Sequence, residues 1–144
     1  MSITHKEITA WISLAITLVV YGYYFSQAPH TQTAADMTWL FIGAVVAVVV
    51  LQIVLQVIAS ILHRPEKTDE RDRAIETKAY RIAYYVMAAG VTLMVLQHLG
   101  FIPQVILPAD LPLQARAVHA LVLTLAAAEV IRCATIVFFY RREA

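Results

Sequence analysis

MTWLFIGAVVAVVVLQIVLQVIASIL, residues 37–62, carries no charged side chain, and among its apolar residues only Thr38, Gln52, Gln56 and Ser60 are small polar groups. The hydrocarbon core of a bilayer is about 30 Å thick, and a helix rising about 1.5 Å per residue crosses it with about 20 residues. The stretch is longer than that. No water reaches peptide N–H and C=O groups inside hydrocarbon, so the segment must be a helix that closes its backbone bonds within itself.

Working outward, residues 8–25, 82–99 and 117–140 meet the same requirement. The predicted fold class is all-α, a polytopic transmembrane four-helix bundle. Composition agrees: 60% of the 144 residues are hydrophobic and 15% are charged, and mean hydropathy is +0.70, unlike a soluble domain. The connections are too short for a second folded unit, so one transmembrane domain, 1–144, is expected. A net charge of +1, with acids interleaved among the bases, argues against an extended phosphate-binding surface, so membrane lipid is the expected surrounding partner and nucleic acid is not. The single cysteine, Cys133, cannot form an internal disulfide, which excludes a cysteine-pair thiol oxidoreductase. One basic residue, Lys6, precedes the first apolar stretch, and no small-residue cleavage site precedes Tyr21, Tyr23, Tyr24 and Phe25, so it reads as a retained helix.

Basic residues set the expected orientation. Lys6 lies at the start, Arg64, Lys67, Arg71, Arg73, Lys78 and Arg81 in the middle, Arg141 and Arg142 at the end, while the other two connections hold only Arg116. By the positive-inside bias both termini and the central segment are cytoplasmic. Tyr21, Tyr23, Tyr24 and Phe25 then serve as outer interfacial anchors, and Tyr80, Tyr84, Tyr85, Phe138, Phe139 and Tyr140 as inner ones. The outer connection FIPQVILPADLP, with Pro103, Pro108 and Pro112, cannot be one continuous helix and is expected to lie along the membrane surface.

Between the second and third spans the chain turns polar. Pro65 ends one helix, Thr68 is placed to cap the next, and Asp69, Glu70 and Asp72 suit its N-terminal dipole. With no Gly or Pro before Gly90, this helix is predicted to run into the third span, its first turns projecting into the cytoplasm as a charged arm over about 63–81. Asp69 pairs with Arg73 and Arg73 with Glu76 by spacing, and Ile75, Ala79 and Ile82 form an apolar stripe. Asp69, Glu70, Arg71, Asp72, Arg73 and Glu76 therefore constitute either a solvated helix extension or a contact surface for a cytoplasmic protein or a second copy. Arg71 and Arg73 disfavour a metal site on Asp69, Asp72 and Glu76.

DERDRAIETKAYRIAYYV, residues 69–86, resembles the signature of uncharacterised small four-span bacterial inner-membrane proteins, in which a D-E-R-D/E segment leads into the third helix. The resemblance implies the span count and loop order given above. It also implies a regulatory or stress role, since some members are reported beside small helix-turn-helix regulators. It supplies no reaction and no catalytic residues.

In the fourth span, His119, Val122, Ala126, Glu129, Cys133, Ile136 and Tyr140 recur at steps of three and four and share a face predicted to point inward, with Arg132 at its edge. Counting from Tyr140, Glu129 and Arg132 lie about 16 and 12 Å up the helix, where charges are costly and normally pair, line water or mark a pathway. They can pair at i,i+3. Gln52 and Gln56 lie about 15 and 9 Å above residue 62, and an antiparallel arrangement of the second and fourth spans would let their amides bond the ion pair. Thr9, Ser13 and Thr17 add a weaker polar stripe in the first span. Three readings follow for this cluster: a latch fixing packing or oligomer register, a proton or solute pathway through Glu129, or a lipid, quinone or small-molecule pocket. His98 and His119 close and open neighbouring spans at similar depth, the arrangement a haem iron or a quinone would need; otherwise no cofactor is expected. In the third span Ala79, Ala83, Val86, Gly90, Leu93 and Gln97 give a small-residue contact face. No nucleophile with a base, metal-ligand cluster or nucleotide loop is present. The sequence thus reads as a non-enzymatic homo-oligomeric membrane protein with an interaction or regulatory role, the competing class being a small transporter or ion-conducting protein.

Overall fold

The computed structural model describes residues 5–31, 33–62, 69–103 and 112–142. Four long helices account for nearly all of them: α1 (His5–Gln27), α2 (Ala34–Leu62), α3 (Glu70–His98) and α4 (Leu113–Arg142), with a short 3-10 turn at Ala28–His30. Each is long and apolar enough to cross a membrane, and the described residues contain no strand. The expected break at Pro65, the cap at Thr68 and the middle of the proline-rich connection, 104–111, lie outside the described residues.

Local chemistry fixes where α2 and α3 begin. Thr33 and Asp36 exchange hydrogen bonds at the entrance to α2. α3 starts from a capping box in which the Asp69 side chain accepts backbone N–H bonds and Asp72 reaches back to the Asp69 N–H. Asp69 is the N-cap of α3, three positions before Asp72, the spacing at which the two side chains can complete the reciprocal pair.

The close helix pairs are α1 with α2, α1 with α4, and α3 with α4. α1 and α4 form the centre, each with 33% of its central stretch buried, against 6% for α2 and 11% for α3. The arrangement is open: α2 and α3 flank the centre and leave a gap between them. At the basic end Ala10, Ile75, Ala79, Ile136, Val137 and Tyr140 pack together; toward the other end Ile16, Val20, Tyr24, Ala28, Ala44 and Val122 do. Gly90 lets α3 meet α4 closely, since a Cβ there would run into the Thr124 side chain.

The start of α3 lies beside its neighbours. Lys6 of α1 and Tyr140 of α4 both reach Asp72, so the first turn of α3 is level with the ends of those helices. The buried stripe is Ile75, Ala79 and Ala83, whereas Ile82 is exposed, because a step of four, not three, keeps residues over the α4 contact here. Tyr24 and Tyr140, expected as interfacial anchors, are both buried, while Tyr23, Tyr80, Tyr84, Tyr85 and Phe138 are exposed.

Candidate functional site

Along α4 the helical period puts His119, Val122, Ala126, Cys133, Ile136 and Tyr140 in the interior, with Glu129 half-buried at the same face. Glu129 and Arg132, one turn apart, close a two-pronged pair: Arg132 Nε donates to Glu129 Oε2 at 2.9 Å and a terminal guanidinium nitrogen donates to Oε1. Cys133 Sγ lies 3.5 Å from Glu129 Oε1, and the Arg132 guanidinium stacks over the Tyr80 ring of α3 at 5.3 Å. A planar guanidinium can present its edge to the carboxylate in a two-pronged bond and its face to the ring at once.

This pair faces the gap between α2 and α3. One cavity of about 550 Å³ is bordered by Tyr21, Gln52, Tyr80, Met87, Glu129 and Arg132. Toward the basic end it continues into another of about 520 Å³, which shares Gln52, Tyr80 and Arg132 and adds Lys6, Gln56 and Glu76. Gln52 and Gln56 thus border the same space as Arg132, yet among the described residues no hydrogen bond joins either amide to the ion pair. The C-terminal halves of α2 and α4 border one cavity and their N-terminal halves another. α2 and α4 therefore run in the same direction, not antiparallel, since each is separated from the other by one complete up-and-down excursion of the chain. Their depths match, but the gap keeps the amides from the carboxylate.

At the basic end a second network ties three helices. Lys6 Nζ lies 2.9 Å from Glu76 Oε1 and 3.4 Å from Asp72 Oδ2, Tyr140 donates its hydroxyl to Asp72 Oδ1, and Arg141 Nε donates to Glu7 Oε1 at 3.2 Å. The predicted partners within α3 are not used: Asp72 and Glu76 point to α1 and α4, and Arg73 stays exposed without an ion pair to Asp69 or Glu76. Asp69, Glu70, Arg71 and Arg73 remain on the surface. Occupied by Lys6 and Tyr140, the Asp72 and Glu76 carboxylates do not converge on a metal, and the described residues hold no group of three or more metal-ligating side chains.

His119 is fully buried, and its Nδ1 is 2.7 Å from the Tyr24 hydroxyl; its Nε2 has no hydrogen-bond partner among the described residues. His98 is exposed and borders a separate small cavity with Arg116. The two histidines do not share a cavity, so the arrangement expected for an axially ligated haem or a quinone is not formed: His119 is turned into the α1 contact by Tyr24. Sequence reasoning missed Tyr24 as an interior residue, although extending the stripe Thr9, Ser13, Thr17 by further helical steps reaches Val20 and then Tyr24. The contacts of Lys6 with Asp72 and Glu76 left no local signal.

No protein-family model, no curated protein and no solved structure matches this chain.

Proposed function

We propose that this chain is a non-enzymatic multi-pass protein of a bacterial inner membrane, both termini cytoplasmic, that works by interaction and assembles with further copies of itself. The observation carrying this reading is the position of α2, whose span is only 6% buried within the chain, so that an apolar face bearing Val46, Val49, Val50 and Ile53 is left uncovered by its own chain. Helices in lipid associate through such faces by close van der Waals packing. The charged start of α3 supports the same reading. Lys6, Asp72 and Tyr140 hold it in place, leaving Glu70, Arg71 and Arg73 outward as a rigid contact surface for a cytoplasmic partner or for a second copy. The resemblance of 69–86 to small four-span bacterial membrane proteins points to a regulatory setting. The test is native mass spectrometry of protein extracted in mild detergent. A defined assembly of more than one copy is expected, weakened by Val46→Trp combined with Ile53→Trp. A monomer under every mild condition overturns the proposal.

One observation favours a second reading, a solute or proton pathway: the cavity of about 550 Å³ reaches the Glu129 carboxylate. If the chain conducts, pH-dependent flux in reconstituted vesicles is lost in Glu129→Gln while assembly is kept. Absence of flux in the parent removes this reading.

A further inference from the structure

The gap between α2 and α3 is graded in polarity along its length. At the basic end it is bordered by Lys6, Gln56, Glu76 and Tyr140; in the middle by Gln52, Tyr80 and Arg132; beyond Met87 and Leu125 it passes into a third cavity of about 420 Å³ bordered by Phe41, Val91, Leu121 and other almost wholly apolar groups. Consecutive cavities share residues, so the space is a slot running along the helices. Water does not fill its far part, because apolar cavities stay dry, and an empty slot would forfeit dispersion contacts on every wall. A molecule with a polar head and a hydrocarbon tail matches the gradient. The lining turns apolar at Met87 and Leu125, midway along α3 and α4, and stays almost wholly apolar to Met37 near the start of α2; the half of the slot nearer the basic end therefore has the direction of a lipid in the leaflet on that side.

The head is specified by the charges at the mouth. Two carboxylates, Asp72 and Glu76, meet one ammonium, Lys6, and deeper in, Arg132 is balanced by Glu129. A purely anionic head drawn to Lys6 would leave Glu76 without its partner, whereas a head carrying both signs can give an ammonium to Glu76 and a phosphate to Lys6, with the Gln56 amide beside them. We propose that the α2–α3 slot holds one zwitterionic phospholipid with a primary ammonium head, seated at Lys6, Glu76 and Gln56, with an acyl chain along Met87 and Leu125. This inference rests on the membrane location proposed above but not on self-assembly or conduction.

The experiment uses full-length protein reconstituted in nanodiscs of equal parts phosphatidylethanolamine and phosphatidylglycerol with matched acyl chains, followed by native mass spectrometry of the released protein. One phosphatidylethanolamine retained per copy, several-fold in excess of phosphatidylglycerol, is expected. Glu76→Gln should erase the preference by removing the ammonium partner. Met87→Trp, which narrows the tail slot and touches no charge, should lower retention of both lipids without changing helical content by circular dichroism. Equal retention of the two lipids, a preference for phosphatidylglycerol, no retained lipid, or retention untouched by Met87→Trp each overturn the proposal. So does disulfide cross-linking of Gln52→Cys between copies, which would place a second chain in the slot. Copy number is read from the same spectra, so loss of the lipid and loss of assembly are separately visible.

Discussion

Glu129 and Arg132 satisfy one another on a single helix, and that decides what each substitution does. Replacing either alone leaves a half-buried charge unpaired, a change that costs about 3–5 kcal/mol when burial is complete. Here the side chains are 29% and 20% exposed, so a loss no larger than about 3 kcal/mol is expected for Glu129→Gln or Arg132→Gln. The double replacement should be nearer the parent than either single one, read as a non-additive shift in thermal denaturation in one detergent. Tyr24 and His119 pose the complementary case of a neutral pair. Tyr24→Phe takes the only hydrogen bond from Nδ1 of a ring whose Nε2 already has no partner among the described residues. Leaving such a group unsatisfied costs about 1–3 kcal/mol. Tyr24→Phe with His119→Leu, which removes both polar groups at once, should recover most of that loss in the same melting experiment.

At the scale of elements, α3 is fastened at both ends of its α4 contact by different physics. Near its start the fastening is polar: Asp72 caps the helix and accepts from Lys6 and Tyr140. Asp72→Ala should raise amide exchange over residues 70–76 more than Asp69→Ala, whose cap alone is worth about 1 kcal/mol. Further along it is steric. An alanine at Gly90 would place its Cβ 2.7 Å from Thr124 Oγ1, so Gly90→Ala should destabilise by about 1–3 kcal/mol through overpacking, with Thr124→Ala restoring most of the loss. The small-residue face that locates this contact was legible in the sequence, as was the inward face of α4, because a polar or small stripe at helical period stands out against apolar surroundings. The place of α2 was not. Lipid and protein interior are equally apolar, so a helix with hydrophobic residues all round carries no record of which side its neighbours occupy. For the same reason Gln52 and Gln56 could be assigned a depth but not a hydrogen-bond partner. Tyr24 was not legible as an interior ring, because residue type and depth do not distinguish a ring at the interface from one turned inward, whereas the helical spacing that put Tyr140 on the inward face of α4 agrees with its burial.

For the whole molecule, the row α2, α1, α4, α3 and the basic residues gathered at one end make a topology that can be tested without a functional assay. Cys133, the chain's one cysteine, is fully buried, so a membrane-impermeant maleimide should leave the parent unlabelled in intact cells and in inverted vesicles alike. Single cysteines can therefore be introduced without removing it. Arg71→Cys sits on an exposed position within the capping turn of α3, and Phe101→Cys on the exposed connection past α3 at the opposite end. If both termini are cytoplasmic, Phe101→Cys is labelled in intact cells and Arg71→Cys only in inverted vesicles. The reverse pattern would place Lys6, Asp72 and Glu76 outside the cell, and with them the proposed lipid mouth and contact surface. That orientation would put most basic ends of the helices on the side the positive-inside bias disfavours, so the labelling result tests the charge argument and both proposals that depend on it at once.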